Sequence, residues 1–282
     1  MDMETGAPAA KESQKDEERE KTVPGDDLAA FERDPNFVLS LARGLKVIET
    51  FEGHKQGQSV ADVARETGLS RAAVRRLLMT LQALGYAESD GRVYSLKTRV
   101  LKLGFSYLSS ASLPTLAQPI LEQVTEQVHE SSSLTVMDGD QIVYVARSTA
   151  KRVMSVGLSV GSRLPAYCTS MGRILLAAKP DPQLMNYLER VELKSMTAKT
   201  VIEKAKLADL IRKVRTDGFA LVDEELELGL RSIAVAVKNR QNETVAAMNI
   251  GVHAVRITAK EMIDRLLPIL LENARLLSQC LG

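Results

Sequence analysis

Two short amphipathic helices joined through a single glycine leave a chain few options, and residues 59–85, SVADVARETGLSRAAVRRLLMTLQALG, form such a pair. Ser59 suits a helix N-cap, with Asp62 three positions on as its capping-box partner. Val60, Val63 and Ala64 then share a face. Gly68 offers the left-handed backbone that ends a helix. Ser70 caps a second helix, where Val74, Leu77, Leu78, Leu81 and Leu84 recur at helical spacing and fill one arc. Arg71, Ala72, Arg75, Arg76 and Met79 fill the opposite arc. One face is made for burial and the other presents forked guanidiniums. A helix-turn-helix that places its second helix in a DNA groove needs this division. A helical hairpin with a solvated basic face has it too.

The flanks favour the first reading. SLARGLKVIETF (40–51) puts Leu41, Leu45, Ile48 and Phe51 on one face and predicts a helix packed on the pair. YAESDGRVYSL (86–96) holds Asp90-Gly91 between alternating segments, which predicts a two-residue hairpin. Helix, helix-turn-helix and hairpin together make a winged helix over 37–97. Ser70, Arg71, Ala72, Arg75 and Arg76 are then its candidate DNA contacts, with Arg92, and Lys97 beside it, on the wing against phosphate. Charge is placed to match: residues 41–104 hold 11 basic and 6 acidic side chains, whereas residues 1–40 hold 5 basic and 11 acidic. Residues 1–36 are polar, broken by Pro8, Pro24 and Pro35, and predicted to be a disordered acidic tail. An apolar stripe through Val100, Leu101, Leu103, Phe105 and Leu108 predicts a linker helix over 98–112.

Residues 113–282 form a second domain. Pro114 and Pro119 frame the start of a helix that runs to about His129. From Ser131 the period changes. SLTVMDGDQIVYVARS predicts a hairpin around Gly139-Asp140, residues 152–160 a third strand, and GSRLPAY (161–167) a loop. A helix follows from about Thr169–Ser170, then helices near 182–190 and 203–217. Strands are predicted at 219–223, 231–239 and 244–252, and a final helix from Thr258 to about Cys280. The fold class is α+β, a mostly antiparallel sheet flanked by helices. No glycine-rich phosphate motif stands at a strand-to-helix junction, so a Rossmann or P-loop nucleotide site is not expected.

Three functional classes compete for this domain. In the first, it senses a small molecule. The helix start at Ser170, with the N–H groups of Ser170 and Met171, offers an anion seat for a carboxylate without a dedicated arginine. An ordinary capped helix has the same sequence. The second class is catalysis. The flanks of Ser170 do not make a Gly-x-Ser-x-Gly elbow, and neither His129 nor His253 has a nucleophile nearby in sequence. Asp223-Glu224-Glu225, with Glu227, reads as a solvated acidic loop, and Cys168 as a small core residue. No enzyme is expected. The third class is a dimerisation domain, which is compatible with sensing. Two cysteines and three scattered histidines predict neither a disulfide framework nor a metal site. No cofactor, signal peptide or membrane span is expected, and the predicted compartment is the cytoplasm.

These residues resemble the IclR family of bacterial transcription regulators. SLARGLKVIETF, LSRAAVRRLLMTLQALGYAESDGRVYSL, VGSRLPAYCTSMGRILLA and DEELELGLRSIAVAV are similar to family motifs and stand in the family's order. SLARGL, RAAVRR and LPAYCTSMGRILLA look like the Pca/Pob subgroup, which controls breakdown of aromatic acids, and most resemble a β-ketoadipate-responsive activator. The resemblance implies a winged helix, a linker helix and a C-terminal GAF-like effector domain. It implies homodimers, or dimers of dimers, on double-stranded operator DNA, with RNA polymerase a further candidate partner. The effector would be a small carboxylic acid such as β-ketoadipate or protocatechuate. The alternative is a repressor of another organic-acid pathway, with a 4-hydroxybenzoate- or glyoxylate-like effector. The family's effector positions fall here on Leu164, Ser170, Met171, Leu230, Ser232 and Asn249. Val222 stands where a relative has an acidic residue, so Asp223 is left out of the site.

Overall fold

The computed structural model describes residues 31, 34–54, 56–104, 112–150 and 158–281, in two compact units, 1–105 and 106–282. In the first unit, α1 is Leu39–Glu49, α2 Val60–Thr67 and α3 Arg71–Ala83. Strands β1 (Ala87–Ser89) and β2 (Tyr94–Leu96) form the wing. The predicted caps are present. Ser59 and Asp62 make a reciprocal capping box, Gly68 is left-handed at φ 72°, and Ser70 Oγ accepts the Ala73 N–H. Val47, Val63, Val74, Leu78 and Leu81 are buried together between the helices.

Three local expectations are corrected. α1 is rotated, so that Val47 is fully buried while Leu41 and Leu45 face solvent. Gly44, 4.0 Å from a Leu77 methyl at its would-be Cβ, marks the side that packs. Leu84 is exposed because the chain leaves α3 there and turns at Gly85, φ 76°. The wing loop has four residues, since Ser89 pairs with Tyr94. Asp90 Oδ1 accepts the N–H groups of Arg92 and Val93, so a side chain closes the loop in place of a two-residue turn. Gln58 exchanges two backbone hydrogen bonds with Tyr94 and adds a third line to the wing. Residues 98–104 are helical, opening with a 3-10 turn at Thr98–Val100, while 105–111 of the predicted linker helix lie outside the described residues. So does nearly all of the predicted acidic tail.

The second unit opens with α4 (Ser112–Val128), followed by β3 (Ser131–Asp138) and β4 (Gln141–Ser148), joined by the predicted turn at Gly139-Asp140. The expected loop 161–167 contains a short strand, β5 (Arg163–Pro165), on the outer side of β4. Pro165 is tolerated there because an edge strand has an unpaired side. Of the strand predicted over 152–160, residues 152–157 lie outside the described residues and 158–160 are not extended in a ladder. Next come α5 (Ser170–Ala177), α6 (Asp181–Arg190), α7 (Lys204–Asp217), β6 (Phe219–Asp223), β7 (Leu230–Lys238) and β8 (Thr244–His253). The closing helix is not uniform. A turn at Ala259–Glu261 passes into a π-helical turn, Met262–Leu266, before α8 (Leu267–Cys280). Pro268 has no N–H to continue the i→i−4 ladder at that point.

The six strands form one antiparallel sheet in the order β5-β4-β3-β8-β7-β6. Strand alternation gives it two unlike faces. One carries Leu134, Ile233, Val235, Met248 and Ile250 against α4 and α8. The other faces α5, α6 and α7 and is built of smaller residues, among them Ser133, Ser232, Ala234, Ala247 and Gly251. A bulge in β4 decides what joins that face. Thr135 pairs with Tyr144 but Leu134 pairs with Ala146, so Val145 is the extra residue. Tyr144 and Arg147, three apart, therefore project to the same side. The α+β class expected from the sequence is the observed one.

Candidate functional site

On the first unit, the buried Val74, Leu78 and Leu81 turn the other side of α3 outward. Ser70, Arg71, Ala72, Arg75 and Arg76 are all exposed along it, and Arg92 is exposed at the wing tip. Lys97, also on the wing, lies 3.6 Å from Glu88. Among the described residues Arg71, Arg75 and Arg76 have no carboxylate partner. Their charge is left available to a polyanion.

On the second unit, a cavity of about 420 Å³ lies over the small-residue face of the sheet, bounded by the start of α5 and by residues 226–230. Strand register lays out its floor. One row crosses from Arg147 on β4 through Ser133 on β3 to Asn249 on β8. The next runs from Ser131 through Gly251 and Ser232 to Val222, and beyond it stand His253 and Leu230. Gly251 and the serines keep the floor low enough to leave this space.

Four of the six expected effector residues, Met171, Leu230, Ser232 and Asn249, line the cavity. Ser170 lies behind the wall, fully buried, with its hydroxyl 2.8 Å from that of Ser232. Leu164 is half-buried on β5, paired with Ile142, and is not part of the wall. At the helix start, Thr169 Oγ1 accepts the Gly172 N–H, so the cap is internal to the protein.

The charged groups of the cavity escaped the sequence reading. Arg147 is half-buried, with Nη1 donating to Ser133 Oγ at 3.2 Å and its guanidinium 5.8 Å from the Tyr144 ring centre. Burial lowers its pKa and pushes the Tyr144 phenol up to about 12. Glu130, buried at the cavity edge, accepts from Arg256 at 3.1 Å; burial still raises its carboxyl against that pull. Burial also pushes the Cys168 thiol up to about 12, so it is a neutral part of the wall. The acidic run after β6 is not simply solvated. Glu225 is buried, accepts from Arg173 Nη2 at 2.6 Å and from the Val201 N–H at 3.1 Å, and anchors the segment that closes the cavity.

Comparison with known proteins assigns a family to both units. Residues 40–91 match the model of the IclR helix-turn-helix domain, and residues 105–279 that of the bacterial transcriptional regulator IclR C-terminal domain. The chain is 49% identical over 253 residues to the Pca regulon regulatory protein of Pseudomonas putida, spanning 89% of this chain and 87% of that protein. A transcriptional regulator of Rhodococcus sp. RHA1 superposes with a TM-score of 0.77 at 47% identity, over 87% of this chain and 98% of that one. The inducer-binding domain of the PobR transcription factor from Acinetobacter, a double mutant in complex with 3-hydroxybenzoic acid, superposes with a TM-score of 0.57 at 34% identity, over 60% of this chain and 98% of that domain. No helix among the described residues is long and apolar enough to cross a membrane.

Proposed function

The chain belongs to the IclR family of bacterial transcription regulators, and from that premise we propose that it controls genes for aromatic-acid breakdown in response to a carboxylic acid bound in the second unit. One observation carries this reading. Met171, Leu230, Ser232 and Asn249, named as effector positions and far apart in sequence, meet on the walls of a single cavity. The bound 3-hydroxybenzoic acid of the PobR domain supports an acid of the same chemical kind here. Arg71, Arg75 and Arg76 approach the bases and phosphates of the operator, Ser70 and Ala72 lie against the groove, and Arg92 touches the flanking backbone. The protein acts as a homodimer or a dimer of dimers, which lets two winged helices hold two half-sites. The acid prefers one arrangement of the DNA-reading domains, and that preference alone shifts the equilibrium.

Fluorescence anisotropy with operator DNA, at fixed salt, tests the reading. Protocatechuate, 4-hydroxybenzoate or β-ketoadipate should change operator affinity by about 5- to 150-fold. Arg75→Ala should weaken operator binding about tenfold or more and leave acid binding intact. Operator affinity indifferent to all three acids would overturn the effector assignment. Undiminished operator binding by Arg75→Ala would overturn that of the reading helix.

A further inference from the structure

We propose that Arg147 is the seat of the effector's carboxylate, and that Asn249, about two strand spacings away, meets the ligand's far polar end. This rests on the reading of the cavity as the effector site, and it moves the anion from the start of α5, where the sequence placed it, to β4.

The first ground is an uncompensated charge. Arg147 is half-buried, yet among the described residues no carboxylate pairs with it. Its neighbours are a neutral hydroxyl, Ser133 Oγ, and a ring face, Tyr144, with Thr149 Oγ1 at 3.4 Å from Nε. A guanidinium withdrawn from water without an anion is costly, and a ligand carboxylate supplies the two parallel acceptors it lacks. The lowering of its pKa by burial has the same origin.

The second ground is that the rival side chains are engaged. Arg256, the other arginine on the cavity wall, is held by Glu130. At the start of α5, the Ser170 hydroxyl is bonded to Ser232 and the Gly172 N–H to Thr169.

The third ground is placement. The bulge at Val145 turns Arg147 onto the cavity side and sets it in one row with Ser133 and Asn249. Asn249 is 6% exposed, and its Oδ1 has no hydrogen-bond partner. A buried amide left so wants a ligand group. Two strand spacings, about 10 Å between Cα atoms, put both polar groups within reach of one small acid. The ligand is then an acid with a second polar group opposite its carboxylate.

Calorimetry on the full chain tests this without any variant. Protocatechuate should bind about tenfold to a hundredfold tighter than its neutral carboxamide, the range expected for hydrogen bonds to a charged group. Arg147→Gln should lose that preference and bind the acid about as weakly as the amide, with Arg147→Lys in between, because lysine keeps the charge and loses the fork. An unchanged urea-unfolding midpoint for both variants, followed by circular dichroism, reports an intact fold. Acid and amide bound equally by the unaltered protein would overturn the proposal, as would acid binding undiminished in Arg147→Gln. In either case the cavity would still be the effector site. Failure of the unaltered protein to bind protocatechuate, 4-hydroxybenzoate or β-ketoadipate would overturn that broader reading, and this one with it.

Discussion

At the scale of single residues, the contact that most tightly specifies the cavity wall is one made by a missing side chain. A Cβ on Gly172 would stand 2.1 Å from the Ala166 carbonyl oxygen and 2.4 Å from its Cα. Both are backbone atoms, so no rotamer change relieves the clash. In an exposed helix, glycine-to-alanine stabilises by about 1 kcal/mol. Here the steric cost is of the overpacking kind, about 1–3 kcal/mol and occasionally more, and it works against that gain. Gly172→Ala is therefore expected to destabilise the protein, by up to about 2 kcal/mol and by more where the backbone cannot shift, in urea unfolding followed by circular dichroism. Unchanged stability would mean that α5 does not lie so close to Ala166. The sequence marks this glycine only by its place in CTSMGR, three positions after a helix cap, where helices have no conformational need for it.

At the scale of elements, α5 is tied to the segment after β6 by a buried ion pair. Arg173 lies 2.6 Å from Glu225 and also donates from Nε to the Tyr167 carbonyl, while the Thr200 hydroxyl donates to the Glu225 carbonyl. Arg173→Met leaves a buried carboxylate with the Val201 N–H as its remaining donor. The expected loss is about 3–5 kcal/mol, and Glu225→Leu in the same chain should recover much of it, because the uncompensated charge is gone. A double-mutant cycle in urea measures both; additive effects would show that the pair does not act as a unit. The elements themselves were largely legible. Ser59, Asp62, Gly68 and Ser70 announce the helix-turn-helix by local chemistry, and Gly139-Asp140 announces its hairpin. What was illegible depends on partners distant in sequence. Arg147 lies an odd number of residues from Tyr144, so strict alternation puts them on opposite faces; the bulge that reunites them is visible only against β3. Glu225 looked solvated because its partner is 52 residues away. Leu41 and Leu45 have the spacing of a core face, and only packing at Gly44 and Val47 shows that α1 turns them outward.

At the scale of the whole molecule, each unit has its own core. Val47, Val74 and Leu78 belong to one, and the two faces of the six-stranded sheet to the other. The basic face of α3 and the cavity over the sheet are therefore built independently, and the proposed regulation is a coupling free energy between two binding events. Such coupling is reciprocal at equilibrium. If the acid changes operator affinity by some factor, the operator must change acid affinity by the same factor. A tenfold effect corresponds to about 1.4 kcal/mol in both directions. The expected outcome is that acid titrations of the free protein and of the operator complex differ by the factor seen in operator titrations with and without saturating acid. Protein concentration must be held equal, since self-association adds its own mass-action term to either measurement. Arg147→Gln should reduce acid affinity in both titrations alike and leave their ratio unchanged, because a seat that only holds the carboxylate contributes equally to both states. A ratio that fell towards one in that variant would show that the arginine itself discriminates between the states, making the carboxylate contact the switch as well as the anchor.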